Sequence, residues 1–151
     1  MKNLFDATVA DQVKTRLSKL QPQTERLWGK MTAAQMLAHC SVSMQWAVGE
    51  VVPDKIALPA RLMGRLVKLM VFRNEDPLRK NSPTAKSLIV AGEPDLATER
   101  GRLSGLIDRF AAGGPAACTT NPHSFFGKMT PDEWAILMYK HLDHHMRQFG
   151  V

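Results

Sequence analysis

Three of the chain's five histidines, His141, His144 and His145, fall within five positions in "KHLDHHMRQFG" near the carboxyl end. Imidazole offers a lone pair to a metal ion and a titratable proton near neutral pH. His141 and His145 stand four apart, so on a helix they project the same way, one turn from each other. That is the spacing with which helical histidine pairs chelate a transition metal. The glutamate that zinc proteases place between such histidines is absent, and Asp143 points to the opposite face. The stretch is therefore either a polar helix end that uses histidine or most of a metal site.

The helix face bears on that choice. At about 100° per residue with Trp134 at zero, Leu137, Met138, Leu142 and Phe149 form an apolar stripe, and His141 and His145 lie about 20° either side of its middle. His144 falls at about 280°, on the border with the polar face. Two stacked imidazoles inside an apolar stripe cost on the order of 1–3 kcal/mol for each polar group left unsatisfied. A metal removes that cost, because each ring gives one nitrogen to the ion and keeps the other for a hydrogen bond. His39 is the remaining histidine within a helix, and with Thr32 at zero it borders the buried side alongside Met36 and Ser43. Three histidines from two helices, with positions left for water, make an open site of the catalytic kind. Imidazole suits zinc, nickel, copper and iron alike. His123, in the "NPHSFFG" stretch, reads as a loop side chain bonded to backbone or as a further group reaching the site. Cys40 is rotated by about 100° from His39 and reads as core.

The elements that must position these residues are helices. Val9, Val13, Leu17 and Leu20 predict an amphipathic helix over 6–20, ended by Gln21-Pro22. Thr32 and Gln35 form a capping box that opens a second helix, with Gly49 near its end. Leu58, Leu62, Leu66, Leu69 and Phe72, with Arg61, Arg65 and Lys68 between them, predict a basic amphipathic helix starting near Pro59. The stretch 73–95 reads as a connection with a short extended piece at 87–90. A further helix is expected over 96–110, stopped by "AAGGP", and a last one from Pro131, capped by Thr130 with Glu133. "GKMT" occurs twice, at 29–32 and 127–130, as one solution to the same helix-start problem. Four long helices with a long crossover between the second and third predict an all-α four-helix bundle, one domain over 1–151.

Composition narrows the class. At 151 residues with 44% hydrophobic and 23% charged content, the chain has the make-up of one globular domain. No apolar run approaches the roughly 18 residues that span a bilayer, so no membrane partner is expected. Two cysteines and no apolar leader point to a reducing cytoplasm. The net charge of +6 is concentrated between Lys55 and Lys86, where eight basic residues face Glu75 and Asp76. Such a segment is a solvated face or attracts an anion. No helix-turn-helix, zinc-finger or aromatic motif accompanies it, so nucleic acid is not the expected partner.

"MTAAQMLAHC" near the start and "HSFFGKMTPDEWAILMYKHLDHHMRQFG" at the end resemble a bacterial family of uncharacterised proteins in the DinB-like superfamily, with the terminal "KHLDHHMRQFG" the most specific element. The resemblance extends over nearly the whole chain, with 51–94 contributing little. It implies a four-helix bundle with a three-histidine metal site, one histidine from the second helix and an H-x-x-x-H pair from the last. By position these are His39, His141 and His145; His144 is not carried over. The superfamily includes metal-dependent enzymes that use low-molecular-weight thiols, and members without known activity.

The expected function is a metal-dependent enzyme acting on a small molecule, a thiol-dependent S-transferase or a hydrolase, with zinc or nickel as the metal. Arg61, Arg65 and Lys68 would hold an anionic thiol, and His123 or His144 would move protons. The alternatives are a non-enzymatic stress-response or binding protein with a structural, sensory or vestigial metal site, and a metal-free bundle whose histidines fill the core. The apolar side of 58–72 exceeds what one small bundle covers, so a homodimer is expected.

Overall fold

The computed structural model describes residues 1–151 and contains five α-helices and no strand: α1 (Ala7–Leu17), α2 (Ala33–Ala47), α3 (Leu58–Val71), α4 (Leu96–Gly113) and α5 (Pro131–Gln148). Helices α1, α2, α4 and α5 pack together around a core of 26 buried residues. Residues from all four enter that core, among them Leu17, Met36, Leu103, Ile107, Trp134 and Met138, so the four helices share one interior. The chain between α2 and α4 crosses the outside of this bundle and carries α3 with it.

Local chemistry sets the helix starts. The Asp6 carboxylate accepts from the Thr8 and Val9 amides at the head of α1, and that of Asp95 from Thr98 at the head of α4. Both expected capping boxes form, Thr32 with Gln35 and Thr130 with Glu133. The two "GKMT" segments also share a backbone: Gly29 has φ 80° and Gly127 φ 71°, the left-handed region that glycine enters without a Cβ penalty.

Three boundaries differ from expectation. Helix α1 stops at Leu17, and Leu20 reaches the core through tighter turns in which Lys19 and Leu20 bond back to Arg16 and Leu17. Helix α4 runs on to Gly113, since Ala111 and Ala112 favour helix and the break comes only at Gly114 (φ 58°) and Pro115. The expected extended piece at 87–90 is instead a 3₁₀ turn over Lys86–Leu88 that drives Leu88 into the core.

The crossover is tied down at several points. The Lys140 ammonium, buried on α5, donates to the carbonyls of Val71, Asn74 and Asp76 at 2.7, 2.6 and 3.1 Å and so closes the C-terminal end of α3. Gln35 holds the Gly92 carbonyl, and Asp54 accepts from the Ser87 amide. One turn further along α5, Asp143 bridges Arg16 and Arg147 at 2.6 Å each, while Arg16 also holds the Val151 carbonyl. Asp143 therefore does point away from the histidine face, and its role there is to fasten α5 to α1.

Candidate metal centre

His39 on α2 and the pair His141 and His145 on α5 meet across the bundle. Their Nε2 atoms face one another, His141 lying 2.9 Å from His39 and 3.2 Å from His145. Two nitrogens each about 2.0–2.1 Å from a common ion would lie about 3.0–3.4 Å apart, depending on the bond angle. These two separations lie close to that range, and all three ligand atoms fall within 4.8 Å of one another, a grouping compatible with a metal site. His39 and His145 are buried and His141 keeps part of its surface accessible.

The hydrogen bonds on the far side of the rings fix which nitrogen carries the proton. His39 Nδ1 lies 2.9 Å from the Leu88 carbonyl, which can only accept, so Nδ1–H donates and Nε2 is left with its lone pair. His145 Nδ1 lies 2.8 Å from Gln148 Oε1, and the same amide donates its Nε2–H to the Trp28 carbonyl at 2.7 Å. That second bond orients the amide, so His145 Nδ1–H also donates and its Nε2 is also a lone pair. Two buried acceptors therefore face His141 Nε2, which has at most one proton to share. Without a further partner, one lone pair stays unsatisfied in the core, at a cost of about 1–3 kcal/mol. A cation between the three nitrogens satisfies them all, and the Nδ1 bonds to Leu88 and Gln148 are the kind that orient metal-binding imidazoles.

Electrostatics agree with neutral rings. Burial, followed by the neighbouring imidazoles, holds His141 well below the ordinary histidine range. Burial and then His39 bring His145 down to about 3, and burial lowers His39 despite its bond to Leu88. All three are therefore unprotonated at neutral pH, the form that donates to a metal.

The other candidates are placed elsewhere. His123 Nδ1 accepts from the Phe125 and Phe126 amides at 3.1 and 3.2 Å, and its ring packs against Trp46, Phe126 and Trp134. It is the backbone-bonded loop residue, and burial lowers its pKa to about 4. His144 donates Nδ1–H to the Leu78 carbonyl and lines a surface cleft with Trp28 and Lys80. Cys40 is buried against Met36 (Sγ to Sδ 3.7 Å), and burial pushes its thiol pKa up, as expected for a core residue. Lys68 pairs with Glu133 at 2.7 Å and donates to the Lys128 carbonyl, whereas Arg61 and Arg65 are exposed and form no ion pair.

Sequence reasoning missed Gln148 and the Leu88 carbonyl. Gln148 lies three residues after His145, a helical neighbour spacing that could have marked it. The carbonyl left no such sign, because any residue at 88 would supply one.

A family model described as "Protein of unknown function (DUF1569)" matches residues 2–150. No curated protein and no solved structure matches the chain.

Proposed function

The chain belongs to this family of unknown function, and we propose that it is a metal-dependent enzyme acting on a small molecule, with His39, His141 and His145 holding a divalent transition metal. The observation that carries the reading is the convergence of three Nε2 atoms, two of them fixed as lone-pair donors by Leu88 and Gln148. The resemblance to the DinB-like superfamily supports the same three residues and, within it, a thiol-dependent S-transferase or a hydrolase.

A zinc or nickel ion held there would supply Lewis acidity, lowering the pKa of a thiol or water so that the anion forms near neutral pH. The chain's own part is to orient His39 and His145 through their Nδ1 bonds and to keep all three imidazoles neutral by burial. His123 stays neutral at neutral pH because burial depresses its pKa, and its Nδ1 is taken up by the Phe125 and Phe126 amides of its own loop.

The test is metal content by mass spectrometry on untagged protein beside a His141→Ala variant. Near-stoichiometric metal that disappears in the variant is expected, and it would direct thiol-transfer and hydrolysis screens to that ion. No metal in either protein, even after loading with zinc or nickel, would overturn the reading. Bound metal with no turnover in any screen would instead favour a structural ion in a binding protein.

A further inference from the structure

Helix α3 turns its apolar side to solvent. Leu58, Leu62, Met63, Leu66, Leu69 and Met70 are between 52% and 72% exposed, although each is a large hydrophobic residue. With Leu58 at zero they occupy a continuous arc of about 140° along all four turns. The sole buried residue of the helix is Gly64, on the other side at about 240°. A Cβ at Gly64 would overlap the Phe125 carbonyl, so the helix is seated directly on the backbone of the 123–127 loop. Lys68, bonded to Glu133, and the partly buried Val67 and Val71 lie beside Gly64. Lys140 holds the carbonyls at the helix end. These contacts fix the rotation of α3, and the apolar arc faces outward because of them.

We propose that this face of α3 is the interface of a homodimer, in which it packs on the same face of a second copy. Area is the first argument. Six such side chains expose on the order of 600 Å² per copy, or about 1,200 Å² across a pair, which reaches the lower bound for a specific, stable interface. A scattered set of exposed hydrophobics would be ordinary, whereas a single contiguous patch of this size stands at the upper end, about 600 Å², of what a monomer exposes, where such patches are often functional. Charge is the second argument. The arc contains no ionisable residue, so a two-fold pairing of like with like buries no unpaired charge. Arg61 and Arg65 lie at its edge, at about 300° and 340°, where they remain in solvent. A helix that lies in a lipid surface differs, since it directs a broad basic face to the headgroups. Here the half opposite the apolar arc is seated on the protein, and Lys68 is engaged by Glu133.

The test is sedimentation of the full chain over a range of concentrations, for the wild type and for Leu62→Glu/Leu66→Glu. A wild-type dimer is expected, with a dissociation constant weakened about 100-fold or more in the variant. Far-UV circular dichroism should be unchanged, since both side chains face solvent. If the double variant loses helicity, Leu66→Ser repeats the measurement with a smaller change. Raising the salt should leave the wild-type dimer intact or strengthen it by screening the Arg61 and Arg65 edge. A wild type that stays monomeric would overturn the proposal. So would a dimer unaffected by the substitutions, or a monomer that binds vesicles of anionic phospholipid and is released by salt.

Discussion

Gln148 is the residue on which the candidate site's geometry turns, since one amide accepts from His145 and donates to the Trp28 carbonyl. Gly29 makes room for it, because a Cβ there would collide with the Gln148 amide. Gln148→Ala should leave the fold intact and weaken metal affinity by about 10–100-fold, as read by competition with a chromophoric chelator. An unchanged affinity would mean that His145 needs no orienting partner. His123 belongs to the same scale through a different mechanism. Burial lowers its pKa from 6.5 to about 4, so the folded state keeps it neutral where the unfolded chain takes up a proton. The stability it lends is complete above pH 6.5 and declines as pH falls towards 4, by up to roughly 3 kcal/mol. Chemical denaturation of metal-free protein between pH 7 and 4.5 should show this fall. His123→Asn, whose side-chain oxygen can still accept the Phe125 and Phe126 amides, should reduce the slope.

At the scale of elements, α3 is held by the close seat of Gly64, by Lys68 and Lys140 and by partly buried valines, where the other helices are held by fully buried core side chains. Gly64→Leu should lift α3 from the Phe125 backbone and increase proteolytic cleavage within 54–92, with the melting transition of the remaining bundle little changed. Equal loss of both would show that α3 and the bundle unfold as one unit. The Asp143 bridge fastens α5 to α1. Asp143→Ala leaves Arg16 without its carboxylate and should cost roughly 1–3 kcal/mol in denaturant titration while sparing metal content, because Asp143 faces away from the histidines.

For the molecule as a whole, the candidate site links three separated parts of the chain. His39 comes from α2, the pair from α5, and the carbonyl that fixes His39 from the crossover. An ion at that junction would bind the folded chain and not the unfolded one. Its stabilisation should therefore grow with the logarithm of free metal, reaching about 2.7 kcal/mol at 100 times the dissociation constant. Thermal melts over a zinc or nickel titration check this, and a flat response would argue against a shared site. No helix is long and apolar enough to cross a membrane.

The sequence by itself determined the helices and the three histidines. Capping boxes at Thr32 and Thr130, glycines before them, and apolar residues at three- and four-residue spacing are local signals, readable without a neighbour in space. His141 and His145 were legible for the same reason, because a spacing of four on one helix is itself a geometry. His39 could be placed on the buried side of α2, but its distance from the pair was not in the sequence. Only the tertiary structure brought the three Nε2 atoms together, chose the tautomers of His39 and His145 through Leu88 and Gln148, and tied His123 to its loop. It also decided which way α3 turns its leucines. The periodicity of 58–72 specifies an amphipathic helix whichever side is buried, and the close approach of Gly64 to Phe125 is a contact between residues 61 positions apart. Backbone carbonyls and contacts across such separations carry no residue-type signature, so folding had to reveal them.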